Sequence, residues 1–202
     1  MLSKLISPNQ GGFVAGRHIL DNVILVLESM HSSHQRKEQG MLIKLDMTNF
    51  FDRVKLTFLY KVLLSFGFNP SFVKLIKACT DKPWIAPLVN GRPTSYFQAS
   101  RGIRQGCPLS PFLYILMADT LSRKLKAESN KGTLLGIRLT IGLERINHAL
   151  FADDSLLLGG ASTRIAKEFN GTLQSFDTIS GMLINKRKSV VYSWNTKEQT
   201  TL

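Results

Sequence analysis

Residues Phe151–Gly160 read FADDSLLLGG. Two adjacent carboxylates, Asp153 and Asp154, interrupt an otherwise apolar run. Neighbouring like charges repel, and burying either is costly unless it is paired or bound to a metal. INHALFA before the pair and SLLLGG after it read as strands, so the two acids fall at the turn between them. A hairpin that carries two carboxylates to its tip needs something to neutralise them.

Asp46 is the acid best placed to join them. MLIKLDM, residues 41–47, reads as a short buried strand with Asp46 at its far end. If that strand neighbours the hairpin, Asp46, Asp153 and Asp154 converge on one point. Three carboxylates together are unstable unless a divalent cation holds them. Their hard oxygens suit Mg2+ or Mn2+ and not zinc. Two such ions, about 3.5–4 Å apart, can activate an attacking hydroxyl and stabilise a leaving pyrophosphate oxygen. Each acid alone has a plainer reading: a solvated turn for Asp153 and Asp154, a helix cap for Asp46.

The chain has 202 residues, enough for one domain with a real core or for part of a larger protein. Lys and Arg number 26 against 14 Asp and Glu, a formal net charge of +12. So basic a chain attracts polyanions, of which nucleic acid is the commonest. No apolar stretch reaches the length of a membrane span, and MLSKLISPNQ lacks the apolar core of a signal peptide. Cys79 and Cys107 give neither a disulfide framework nor zinc spacing, and Cys107 reads as a small apolar filler. An intracellular location, nuclear or cytoplasmic, is the expectation.

Asp21 heads a helical pattern through NVILVLESMHSS. LTFLYKVLLSFGF is helical to about Gly67, and Asn69-Pro70 caps a further helix. Asn90-Gly91 marks a hairpin. Ser110 and Pro111 open a long helix whose start is apolar almost all round, which predicts a buried position. LLGIRLTIG reads as a strand, and His148 as a strand residue. Ser162 caps a helix with Ile165, Phe169, Leu173, Phe176 and Ile179 on its apolar face, ended by Gly181. MLIN and SVVYSW read as short strands. Mixed elements with several hairpins predict an α+β fold, an antiparallel sheet with helices on one face.

These segments resemble reverse transcriptases of the non-LTR (LINE-type) retrotransposon form. FADD with its apolar flanks resembles their catalytic hairpin, and IKLDMTNFFDRV their first palm motif. RGIRQGCPLSPFLYILMADTLSRKL is close to the second palm motif along nearly its whole length. GMLINKRKS resembles the next motif, and SPNQGGFVAGRHILDNVILVLE the fingers-to-palm segment. The order is the family's, and the match spans almost the entire chain.

The resemblance implies a polymerase palm plus part of the fingers: residues 1–40 fingers-derived, and 41–202 a palm truncated before the primer grip and thumb. It implies RNA-directed DNA synthesis, extending a DNA primer on an RNA template with deoxynucleoside triphosphates and Mg2+ or Mn2+. Asp46, Asp153 and Asp154 match the metal-binding acids. Phe51 matches the aromatic under the incoming sugar, with an ordinary core phenylalanine as the alternative. Gln105 and Gly106 match the pair that lies against the nucleotide, and the alternative there is a loop leading into the Ser110 helix. Arg104 and Arg101 meet phosphates or are simply exposed. Lys188 matches a lysine that protonates the leaving pyrophosphate, and Arg17 falls where the fingers would hold template backbone. Asn49-Phe50 departs from the family's Lys-Ala. The Arg-Pro-Ile-Ser fingers segment, the Tyr-Leu-Gly primer grip and any endonuclease or RNase H segment do not occur in these residues. A non-catalytic nucleic-acid-binding remnant of a retrotransposon is the alternative function, and a folded relic the third.

Overall fold

A computed structural model describes residues 2–140, 142–152 and 154–196. The first half of the chain runs α1 (Leu2–Leu5), α2 (Ile19–Gln35), β1 (Gly40–Leu45), α3 (Phe50–Arg53), α4 (Leu56–Ser65) and α5 (Pro70–Thr80). Short strands follow: β2 (Trp84–Ile85), β3 (Leu88–Val89), β4 (Arg92–Pro93) and β5 (Phe97–Gln98). The second half runs α6 (Ser110–Asn130), β6 (Ile137–Arg138), β7 (Arg145–Ile146), β8 (His148–Phe151), β9 (Asp154–Gly159), α7 (Thr163–Ser180) and β10 (Val190–Trp194).

Among the described residues, four strands form the main antiparallel sheet in the order β10–β1–β9–β8. Period-two alternation sorts their side chains. Met41, Ile43, Leu45 and Leu157 are buried in the main core with α4, α6 and α7. Leu42, Leu156 and Leu158 belong to the opposite face, where Val26 of α2 packs. The architecture is α+β, with α2 adding cover on the second face. β1 can lie between two strands partly because Gly40 has no side chain: a Cβ there would fall inside the indole of Trp194. That indole donates from Nε1 to Ser33 Oγ of α2 at 3.2 Å.

The local signals hold in detail. Asn69 Oδ1 accepts from Ser71 N at 2.8 Å, with Pro70 in the first turn of α5. Ser162 Oγ accepts from Ile165 N, and Gly181 ends α7 at φ +81°. The Asn90-Gly91 turn joins β3 to β4. Several expectations shift. Asp21 is not the cap of α2 but sits one turn in, its carboxylate accepting from His18 N at 3.1 Å. Ser110 lies inside α6 with Leu109 at the cap position, because its hydroxyl donates to Arg104 O at 2.6 Å. MLIN is reduced to an isolated bridge of Ile184 with Met47. Ile179 is 52% exposed, because the buried face of α7 runs through Phe169, Leu173, Phe176 and Ser180 and Ile179 falls beside it.

From Leu113 to Asp119 α6 is buried all round, as the composition of its start predicts, and its second half is exposed on one side. Polar groups on it are satisfied by the N-terminal segment. The buried Asp119 carboxylate accepts from Ser7 N and Arg123 Nε, both at 2.7 Å. Ser122 Oγ lies 2.6 Å from His148 Nε2 and 2.7 Å from Ser7 Oγ. His148 Nδ1 is 2.6 Å from Asn147 Oδ1. His148 is fully buried, and that burial lowers it from 6.5 to about 4 despite the nearby Asp119.

The sign of the pH effect follows. Between pH 6.5 and about 4 the unfolded chain takes up a proton on His148 that the folded chain refuses, so stability falls as pH drops through that window. Asp177 of α7 acts oppositely. Burial raises it from 3.8 to about 6, so the folded chain holds the extra proton and stability falls as pH rises from 3.8 to 6. His148→Gln should abolish an acid-side loss on the order of 3 kcal/mol between these limits. Asp177→Asn should steepen the wild-type loss on acidification. Urea unfolding at four pH values from 4 to 7 reads both slopes.

Candidate active site

The tip of the β8–β9 hairpin is built by residues distant in sequence. Ala152 begins the turn at φ +50°, the left-handed region, which costs an alanine about 1–2 kcal/mol. Its N–H donates to Gln10 Oε1 at 3.2 Å, and its carbonyl accepts from Tyr114 Oη at 2.5 Å. Gly12 packs directly against it: a Cβ on Gly12 would collide with the Ala152 backbone. Residues 9–11 run alongside β8, with Leu150 N donating to Asn9 O and Gly11 N to Leu150 O, both at 2.8 Å. Asn22 Nδ2 also donates to Leu150 O at 2.8 Å. Asp153 lies outside the described residues.

Asp46 follows the last residue of β1. Leu45 pairs with Ser155, so the register continued by one step sets Asp46 across from Asp154. Both then fall on the face of Lys44 and Leu156, away from the main core. The backbone around Asp46 is clasped by the 183–189 segment. Asn185 N donates to Asp46 O at 2.8 Å, Thr48 N to Leu183 O at 2.7 Å, and Asp46 N to Ser189 Oγ at 3.2 Å. Lys188 belongs to this clasp, its own N–H on Asn185 O and its side chain exposed. The structure therefore brings Asp46, Asp154 and the Lys188 turn to one end of the sheet.

A second group assembles on α3. Phe51 is half-buried, its ring 5.7 Å from Tyr114 and 5.8 Å from Phe50. The 101–107 loop is stitched to α3 by Gly102 N on Val54 O (2.9 Å) and Ile103 N on Phe51 O (2.7 Å). Gln105 is exposed, and its Nε2 donates to the Asp52 carboxylate at 3.3 and 3.4 Å. Gly106 is exposed at φ +75°, and Arg101 and Arg104 are exposed beside it. Cys107 is half-buried and not a core filler. The Leu109 N–H at the start of α6 chiefly holds its thiol below the ordinary range. Arg17 stands apart from both groups. Its guanidinium donates to the carbonyls of Ser7 (2.6 Å), Gln10 (2.5 Å), Ile6 (3.0 Å) and Ser3 (3.3 Å), tying the N-terminal segment into a loop.

The family model described as reverse transcriptase (RNA-dependent DNA polymerase) matches residues 1–201. The chain belongs to the reverse transcriptase family. It is similar to the transposon TX1 uncharacterized 149 kDa protein of Xenopus laevis, 31% identical over 78% of this chain and 12% of that protein. It is likewise similar to the retrovirus-related Pol polyprotein from type-2 retrotransposable element R2DM of Drosophila melanogaster, 29% identical over 90% of this chain and 16% of that protein. It thus spans under a fifth of either relative. Among solved structures, telomerase from Candida tropicalis in complex with a TWJ fragment of telomeric RNA has the same fold, with TM-score 0.67 and 10% identity over 95% of this chain and 31% of that one.

A divalent cation suits the donor set of this reverse transcriptase domain. Asp46 and Asp154 present hard carboxylate oxygens, and Asp154 already draws a cation, Lys44 Nζ at 3.9 Å. Both partners of that pair are more than half exposed, so it is worth about 0–1 kcal/mol and yields readily to a stronger ligand. Sequence reasoning missed Gln10, Gly12, Asn22 and Tyr114. The consecutive glycines of QGGF, ahead of a helix, were the available signal.

Gly102 shows how closely the two groups are fitted. At φ +88° a Cβ would stand 2.8 Å from Phe51 O and 2.9 Å from Asp52 Cα. Gly102→Ala should cost about 1–3 kcal/mol in urea unfolding and lift the 101–107 loop from α3. The amides of Gly102 and Ile103 should then exchange with solvent faster than those of β1.

Proposed function

We propose that this chain is the core of an RNA-directed DNA polymerase, residues 1–40 contributing fingers structure and 41–202 the palm. The observation that carries the reading is the β1–β9 register, which sets Asp46 across from Asp154. The family match over residues 1–201 supports it. Asp46, Asp153 and Asp154 would hold Mg2+ or Mn2+, which when bound makes a primer hydroxyl more acidic and offsets charge on the leaving pyrophosphate. In the transfer, the primer 3′-oxygen bonds to the α-phosphorus of the deoxynucleoside triphosphate as the bond to the bridging oxygen breaks. Lys188, on the turn that clasps Asp46, would supply a proton to the departing pyrophosphate. Phe51, braced by Phe50 and Tyr114, forms a wall that a 2′-hydroxyl would strike. Gln105, Gly106 and Arg104 contact the nucleotide from the loop fixed to α3.

The template and primer contacts follow from charge. Residues 82–118 contain no Asp or Glu but hold Lys82, Arg92, Arg101 and Arg104. Trp84, Tyr96 and Phe97 in that stretch are each about half exposed or more, at 66%, 69% and 49%. Aromatic faces among unopposed cations suit a single strand, bases on the rings and phosphates on the cations. Arg101 fits this role directly. Arg17 would contact template backbone only by giving up carbonyl bonds.

Primer extension on an RNA template with Mg2+ tests the reading. Asp46→Asn should lower extension at least about 100-fold. Its stability without metal should be nearly unchanged, because the amide keeps the carboxylate's size at a half-buried position. RNA binding without extension in either protein would favour the non-catalytic binding reading.

A further inference from the structure

The hairpin turn is gripped on both sides of one residue. Ala152 ends the described part of the turn two residues before Asp154, and its backbone is left-handed. Its N–H is held by Gln10 Oε1 and its carbonyl by Tyr114 Oη. Gln10 is fully buried, and its Oε1 also accepts from Gly12 N at 2.9 Å. Two backbone donors on one oxygen fix the amide orientation, with the oxygen toward the turn. Among the described residues the buried Nε2 has no partner, so an apolar replacement would strand no described acceptor on that side. Tyr114 is 3% exposed on the buried α6, its ring 4.0 Å from Phe50 and 5.7 Å from Phe51.

We propose that Gln10 and Tyr114 are positioning residues that clamp Ala152 in the left-handed conformation. The clamp directs the start of β9, and with it Asp154, to the end of the sheet where Asp46 stands, and Tyr114 couples that turn to the Phe51 wall. Neither touches the reacting atoms. The catalytic side of this inference rests on the polymerase reading, but the clamp itself is a property of the folded chain. Released, the turn drifts toward conformations an alanine prefers, and Asp154 separates from Asp46. Metal affinity and turnover then suffer together, while the nucleotide contacts on α3 and the 101–107 loop stay in place.

The test uses the whole chain with Tyr114→Phe, Gln10→Met and the double variant. Tyr114→Phe removes one hydroxyl and keeps the ring on Phe50 and Phe51. Titration with Mn2+ alone should show affinity reduced about 10-fold or more in each single variant. The half-saturating Mg2+ for primer extension should rise and kcat should fall by a similar factor, with the KM for deoxynucleotide unmoved. Because both residues hold one peptide segment, the double variant should lose less than the product of the single losses. In Gln10→Met, amide exchange at Gly12 and Ala152 should accelerate about 10-fold while Ile43 and Leu157 keep their protection. If exchange at Ala152 is unchanged, or if Mn2+ affinity holds in both variants, the clamp is overturned. A kcat loss that merely tracks lowered stability, with metal dependence intact, also overturns it. If wild type extends no primer with any divalent ion, the polymerase reading fails, and exchange and Mn2+ titration still decide the clamp. Should Gln10→Met fail to fold, Tyr114→Phe carries the metal measurements.

Discussion

Leu45 meets Ser155 across β1 and β9, and that pairing decides where two carboxylates from opposite halves of the chain arrive. Side chains alternate along a strand with a period of two, so a slip of one residue would send Asp46 and Asp154 to different faces. The sheet resists that slip from several directions. Trp194 fills the place of the missing Gly40 side chain. β10 pairs with β1 on its other side, and the Met47–Ile184 bridge closes the strand just past Asp46. For the register to move, buried Ile43 would have to exchange places with half-buried Leu42 or exposed Lys44.

Around this acidic point the chain is strongly basic, and the two signs are kept apart by burial. The deepest polar network, of His148, Ser122, Ser7 and Asn147, is made of neutral groups, since burial keeps His148 uncharged. Asp119, the buried acid beside it, is offset by Arg123, whose guanidinium also lies 4.5 Å from the Phe66 ring. Positive charge is left for the surface, where a polyanion meets it. Lys44 is the cation that faces Asp154, loosely enough to give way.

What the sequence made readable was short-range. A strand ending in Asp46, a turn at Asn90-Gly91, the Asn69-Pro70 and Ser162 caps and the Gly181 stop each depend on a few neighbouring residues, and each is present. Where readings shifted, a distant partner had competed. Ser110 left the cap position because the Arg104 carbonyl came within reach. MLIN pairs through one bridge because its backbone is spent on the turn that clasps Asp46. The site divides in the same way. Its acids stand in motifs, but the side chains that hold the hairpin backbone beside them, Gln10, Asn22 and Tyr114, are read only once their distant partners are in place. A glutamine before two glycines looks like a loop until the hairpin it supports is in place. The carbonyls that surround Arg17 are equally silent, because any residue supplies a carbonyl.

The cradle of residues 9–12 has a consequence for how the molecule is made. Its partner, β8, lies 142 residues downstream of Gln10 at the Ala152 contact. On the ribosome, residues 9–12 wait, uncovered, until the hairpin 142 residues downstream has been made. The helices and the first strand can begin to associate earlier, since many of their contacts are nearer in sequence, but the acidic tip acquires its support last. Maturation of this end of the sheet is therefore a late event, and the folding chain passes through a stage with a partly formed core and an unfinished centre.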